Sequence, residues 1–79
     1  MDDEFILTIT LEGADGKNWI FYHIADAVDF CDEPHDNIVI DNVTARKGCG
    51  KLEEYKLSTC DWKKIKKAVK IVAAKALRQ

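Results

Sequence analysis

The pattern of apolar and polar positions predicts an antiparallel hairpin at the start of the chain. Residues 5–12 alternate, and β-branched side chains are frequent among them. This period of two is typical of a strand with one buried face. The turn signal Asp15-Gly16 follows, and residues 18–24 are again rich in residues that favour strands. These two segments are therefore expected to pair with each other.

The turn predicts the register of this first hairpin. Asp-Gly suits a type I′ turn, in which both central residues have positive φ. A two-residue loop places Leu11 opposite Ile20 on the buried face. The same register leaves a row of aromatic side chains on the outer face: Trp19, Phe21 and His23. An uncovered aromatic row of this kind can stack on bases or form a contact with another protein; alternatively, the short helix or another segment of the chain covers it.

A short helix is expected after the first hairpin. Apolar side chains recur there at the spacing i, i+3, i+4 and i+7, which is typical of one helix face: Ile24, Ala27, Val28 and Cys31. Pro34 then ends this helix of two turns, because proline has no backbone N–H to donate.

A second hairpin is expected from residues 37–47 and 51–57. Isoleucine and valine are frequent in the first of these segments, and a glycine-rich turn at residues 48–50 separates the two. A three-residue loop pairs Val43 with Tyr55 in this hairpin.

The last segment predicts a long amphipathic helix over about residues 59–78. Ser58 and Asp61 have the spacing of a capping hydroxyl and an acid three residues later. One arc of the helix is apolar: Trp62, Ile65, Val69, Val72, Ala73 and Ala76. At a length of roughly 30 Å, this helix can cross a four-stranded sheet. We expect an α+β two-layer sandwich of order ββ(α)ββα, with the helix on the face of Leu7, Ile9 and Tyr22.

Size and composition restrict the functions that are open to the chain. Its 79 residues, 47% apolar and 33% charged, suit one domain over residues 1–79. No apolar run approaches the ~20 residues of a membrane span, and the acidic start is unlike a signal peptide. Three cysteines cannot form a closed set of disulfides. We therefore expect reduced thiols, a cytoplasmic location and no membrane contact.

The net charge of −2 conceals an uneven distribution. Residues 1–45 hold eleven acids and one base, for −10, and residues 46–79 hold eleven bases and three acids, for +8. The acidic cluster lies on the short helix and the following loop: Asp26, Asp29, Asp32, Glu33 and Asp36. The lysine row faces away from the apolar arc of the last helix: Lys63, Lys64, Lys67, Lys70 and Lys75. Each is either a solvated surface or a contact surface for an oppositely charged partner.

Metal binding and catalysis have weaker support. Four side chains could supply a Cys₃His set for zinc: Cys31, His35, Cys49 and Cys60. Structural zinc sites bring ligands in close pairs on both sides, and here a single pair is close. The acidic cluster does not match the spacing of a calcium loop. Cys49 would need a positioned base, and no nucleotide-binding or hydrolase motif is present. We expect no enzyme activity, no metal and no cofactor.

These observations favour a small module that binds another protein. Small α+β domains with such a charge division often serve as stand-alone binding proteins, including inhibitors encoded by viruses and mobile elements, and this chain could be such a regulator or inhibitor. The acidic cluster, with Trp19 and Phe21, would cover a basic surface of the partner and block it sterically. A second copy of the chain could also cover the aromatic row and form a homodimer. The alternative is a nucleic-acid-binding domain that uses the lysine row, although the net charge is negative and arginine is scarce there.

Overall fold

Four strands and two helices make up the fold, in the order ββαββα. The computed structural model describes residues 6–35 and 37–78. The elements are β1 (Leu7–Gly13), β2 (Asn18–Phe21), α1 (Ile24–Asp32), β3 (Ile40–Lys47), β4 (Glu53–Thr59) and α2 (Trp62–Leu77). The strands form one antiparallel sheet in the order β2-β1-β3-β4. The predicted α+β architecture, with a long C-terminal helix, is confirmed.

The core lies between the sheet and the two helices. Every second residue of β1 is buried, beginning with Leu7, while Phe5 of the predicted strand lies outside the described residues. α2 packs across β3 and β4, and α1 lies beside α2. The buried apolar side chains are Leu7, Ile9, Leu11, Ala27, Cys31, Ile40, Val43, Ala45, Ile65, Ala68, Val69, Val72, Ala73 and Ala76. Nearly all of the predicted apolar arc of the last helix is therefore buried, and Trp62 is half-buried.

The register of the first hairpin differs by one residue from the predicted one. Leu11 lies opposite Trp19 rather than Ile20. A shift of one residue exchanges the two faces of a strand, so Trp19 and Phe21 lie on the buried face. Ile20 and Tyr22 are instead 54% and 57% exposed. The predicted outer row containing Trp19 and Phe21 is wrong, as is the predicted burial of Ile20 and Tyr22.

The reason for the shift is a longer loop between β1 and β2. Gly13 N donates to the Lys17 carbonyl at 2.7 Å, and Gly16 N donates to the Gly13 carbonyl at 3.0 Å. The loop therefore spans three residues, 14–16, with Gly16 at φ +90°. A turn followed by a residue with positive φ is the usual form of such loops. Lys17 N also donates to Asp15 Oδ1 at 3.0 Å, which stabilises the loop.

The second hairpin has the predicted register over most of its length. Val43 lies opposite Tyr55, as the three-residue loop required. A bulge between Ile40 and Asn42 then shifts the pairing, and Ile40 lies opposite Thr59. Against β1, Glu12 lies opposite Asn42 and Gly13 opposite Ile40, so Asp41 is an extra residue in β3. It returns Ile40 to the buried face, where it is fully enclosed. β3 and β4 accordingly begin two or three residues later than the predicted segments.

The N-terminus of α2 lies three residues beyond the predicted start. Asp61 is the N-cap, and its Oδ1 accepts a hydrogen bond from Lys63 N at 3.0 Å. Thr59 Oγ1 accepts from Asp61 N at 3.0 Å, which holds the capping residue in place. The predicted role of Ser58 as the cap is therefore wrong, because β4 continues to Thr59. The predicted short helix is confirmed as α1, which ends before Pro34.

Candidate binding surfaces

The aromatic side chains of β2 belong to a cluster under α1. The Phe30 ring lies 6.0 Å from that of Trp19 and 5.2 Å from that of Phe21, measured between centroids. His35 and Trp62 complete the cluster, with centroids 4.3 and 5.6 Å from that of Phe30. His35 Nε2 also donates to the Phe30 carbonyl at 2.5 Å. Trp19 and Phe21 therefore pack against Phe30 of α1 instead of forming an exposed row.

The acidic cluster lies along α1 and the residues that follow it. Its described members are all exposed: Asp26, Asp29, Asp32 and Glu33. Asp36 lies outside the described residues. Lys66 Nζ of α2 binds both carboxylate oxygens of Asp32, at 2.9 and 3.2 Å. Within the described part of the chain, the other three carboxylates have no ion-pair partner.

The lysine row lies on the outward side of α2, next to the acidic helix. Each of its members is exposed: Lys63, Lys64, Lys67, Lys70 and Lys75. A shallow depression of about 300 Å³ near the end of α2 is lined by Lys67, Lys70, Lys75 and Arg78, together with Ile71 and Ala74. Opposite charges thus lie side by side in the helical layer, and the Asp32–Lys66 pair joins them.

The sheet face turned away from the helices carries large apolar side chains. We call it the open face, and the strand registers and alternation place on it Ile6, Thr8, Thr10, Ile20, Tyr22, Thr44 and Leu52. Polar and charged side chains share this face: Glu12, Asn18, Asn42, Arg46, Glu54 and Lys56. Ile6 and Leu52 are 47% and 48% exposed, close to the values for Ile20 and Tyr22. Nothing in residues 6–35 or 37–78 forms a layer over this face. A three-residue loop between β1 and β2, combined with the alternation of residues 18–24, would have predicted that Ile20 and Tyr22 lie on this face.

Asn42 is an unusual polar residue on the same side of the sheet. Its Nδ2 donates to Glu54 Oε1 at 3.1 Å. Its Oδ1 is buried and, among the described residues, has no hydrogen-bond partner. A buried amide oxygen without a donor lowers stability.

The free edge of β4 borders a groove beside α2. The β4 groove has a volume of about 390 Å³ and is lined by Tyr55, Leu57, Ser58, Thr59, Lys64 and Lys67. Tyr55 is 40% exposed and both lysines are exposed. The groove therefore combines a partly apolar floor with two ammonium groups. Sequence reasoning missed it because the apposition of β4 and α2 is a tertiary feature.

The three thiols lie apart. Cys31 lies on the buried side of α1, and Cys49 and Cys60 are exposed. Burial raises the pKa of Cys31 to about 11, and the nearby Asp32 carboxylate acts in the same direction. The structure does not bring these thiols and His35 together as a ligand set. In the described ranges, no group of three or more His, Cys, Asp or Glu side chains could hold a metal ion.

Comparison with known proteins does not indicate a function for this chain. Protein-family models, curated proteins and solved structures gave no match to the chain. Of the two helices described, neither has both the length and the apolar character needed to cross a membrane. A function must therefore be inferred from the surfaces of the molecule.

Proposed function

We propose that the protein is a non-enzymatic module that binds another protein through the open face of its sheet. The observation that supports this is the exposure of Ile20 and Tyr22 on a face that nothing in residues 6–35 and 37–78 covers. Monomeric proteins seldom expose neighbouring large apolar side chains unless they form a contact surface. Such side chains supply most of the binding energy when a partner encloses them.

The acidic cluster supports the proposal as a second contact region. α1 begins two residues after Tyr22 and lies on the helical side of the sheet, so a partner on the open face would reach Asp26 and Asp29 around the β2 edge. Their carboxylates would attract a partner with a basic surface and accelerate the encounter. A partner held by both regions would be blocked sterically, which is how a small regulator or inhibitor acts.

Affinity capture from a native lysate tests the proposal. The wild-type chain is compared with the double variant Ile20→Ser/Tyr22→Ser, which removes the apolar contact at exposed positions. We expect the wild type to retain a partner protein, identified by mass spectrometry, that the double variant loses. Leu77→Ser is the matched control, because Leu77 is 46% exposed but lies on α2. Equal capture by all three proteins would refute the role of the open face.

A second experiment separates the acidic contribution. Asp26→Asn/Asp29→Asn should reduce the association rate of the captured partner and weaken its dependence on salt. Asp41→Asn, at an exposed site on β3, is the control with an unchanged rate. If Asp26→Asn/Asp29→Asn associates with the partner at the wild-type rate, the acidic cluster is a solvated surface and not a contact region.

Nucleic-acid binding is a second candidate function, supported by the lysine row. Lys67, Lys70 and Lys75 converge with Arg78 on one depression, without carboxylate partners in the part of the chain described. Lysines in this arrangement can contact phosphates, and their affinity then falls steeply with salt. A gel-shift titration with DNA and RNA at low salt tests it. The absence of a shift for the wild type, or an equal shift for Lys70→Glu/Lys75→Glu, would exclude this function.

A further inference from the structure

β4 has an edge that is available for strand pairing. It is the last strand in the order β2-β1-β3-β4, and no described segment pairs with its outer side. An edge strand presents alternate backbone N–H and carbonyl groups without partners. β4 is seven residues long and contains neither proline nor glycine, so it can accept several main-chain hydrogen bonds from an extended segment.

The β4 groove runs beside this edge. Tyr55, Leu57 and Thr59 point towards the helical layer, since they share the face of Val43 and Ile40. Lys64 and Lys67 approach from α2. The volume of about 390 Å³ falls within the range of ligand pockets, ~300–1,000 Å³. A strand added to β4 would direct every second side chain into this groove.

We propose that the β4 edge and its groove bind an extended, acidic segment of a partner protein as a fifth strand. The main chain of the segment bonds to β4, and the inward side chains select the sequence. An Asp or Glu carboxylate at an inward position lies between the Lys64 and Lys67 ammonium groups. Apolar side chains at neighbouring inward positions contact Tyr55 and Leu57. This site lies on the helical side of the sheet, so it does not depend on the proposed role of the open face.

Charge favours an acidic partner over a second copy of this chain. Two β4 edges that pair antiparallel make one continuous sheet, with both helical layers on the same face. The two α2 helices then flank the seam, each with Lys64 and Lys67 turned towards it. This like-charge contact opposes self-association, whereas carboxylates remove the repulsion.

Selection from a phage-displayed library of random peptides tests the proposal on the full chain. We expect the enriched peptides to combine acidic residues with β-branched or aromatic residues. Lys64→Glu/Lys67→Glu should weaken their binding by about tenfold or more. Lys70→Glu/Lys75→Glu is the matched control, because it makes the same charge change outside the groove and should preserve binding. Ile20→Ser/Tyr22→Ser should also preserve it, which separates this site from the open face.

A separate experiment tests whether the bound peptide forms main-chain hydrogen bonds with β4. N-methylation of alternate amides in an enriched peptide should abolish binding in one phase of the alternation and spare it in the other. Bound peptide should also slow the hydrogen exchange of β4 amides. Peptides without acidic enrichment, equal binding to both lysine double variants, or an insensitivity to N-methylation would each overturn the proposal. So would β4 protection that depends on protein concentration without peptide, because that indicates a second copy at this edge.

Discussion

The thiol of Cys31 has a higher pKa in the folded chain than in the unfolded chain. Burial raises its pKa from 9.0 to about 11, so the folded protein retains the thiol proton where the unfolded chain has lost it. The free energy of unfolding should therefore fall as the pH rises from 9 to about 11. Urea denaturation across this range should show a steeper fall for the wild type than for Cys31→Ala.

The matched control for this measurement is Cys60→Ala. Cys60 is exposed, so its removal should leave the wild-type pH dependence unchanged. If Cys31→Ala keeps the wild-type slope as well, Cys31 does not lie in an environment that disfavours its thiolate.

The aromatic residues show how strongly a single residue's environment depends on the loop length. The sequence correctly places Trp19 and Phe21 on one face of one strand, but their predicted assignment to the outer face is wrong. The pattern of residues 18–24 is apolar on both sides, so alternation alone cannot decide which side is buried. Phe30 decides it in the fold, because its ring occupies the space above both side chains.

The loop between β1 and β2 is the element on which the first register depends. Gly16 has φ +90°, and the space that a Cβ would occupy there is open, so a side chain meets a backbone penalty without a clash. Gly16→Ala should lower the free energy of unfolding by about 1 kcal/mol, and Gly16→Asn by less. Urea denaturation measures both. No loss in Gly16→Ala would contradict the three-residue loop.

The cap of α2 gives a second prediction for an element. Asp61→Ala removes the acceptor of Lys63 N and should cost about 1 kcal/mol of unfolding free energy. Ser58→Ala should change it by less than about 0.5 kcal/mol, because Ser58 is an exposed residue of β4. Thermal and urea unfolding of the two variants compare them directly. The reverse order of effects would restore Ser58 as the capping residue.

Elements with a strong period were predicted well from the sequence. The spacing of Ile65, Val69 and Val72 identified the buried side of α2, and the shorter stripe of α1 identified its buried Ala27 and Cys31. The bulge at residues 40–42 was not predictable, because a strand pattern assumes an unbroken ladder. Helix ends were misplaced for a related reason: hydroxyl and acidic residues near residue 60 offer several capping solutions, and the extent of β4 selects one.

At the scale of the whole molecule, the uneven charge becomes a pair of adjacent patches. The Asp32 and Lys66 side chains that join them are 53% and 31% exposed, so water and salt screen their attraction. Asp32→Asn should therefore lower the free energy of unfolding by less than about 1 kcal/mol, and the difference should shrink at high salt. Asp29→Asn, without an ion-pair partner in the described ranges, should lack that salt dependence. If Asp32→Asn lowers the free energy of unfolding by well over about 1 kcal/mol, the ion pair contributes substantially to the packing of α1 against α2.

The sheet order was the part of the architecture that the sequence left open. Turn signals connect β1 to β2 and β3 to β4, but nothing local joins the two hairpins. The structure joins them through β1 and β3, where Leu7 lies opposite Lys47. This arrangement places β4 at an edge beside α2 and creates the groove, so that candidate site could not be found before the order was known.

The last helix also determines when the chain can fold during its synthesis. α2 supplies many of the buried side chains: Ile65, Ala68, Val69, Val72, Ala73 and Ala76. Both hairpins leave the ribosome before these residues do, with the faces of Ile9 and Val43 still uncovered. A nascent chain in this condition exposes apolar surface and strand edges, the features that chaperones bind and that promote aggregation. The cover of the sheet is therefore complete only after α2 has left the ribosome, and until then the exposed apolar faces and strand edges favour aggregation.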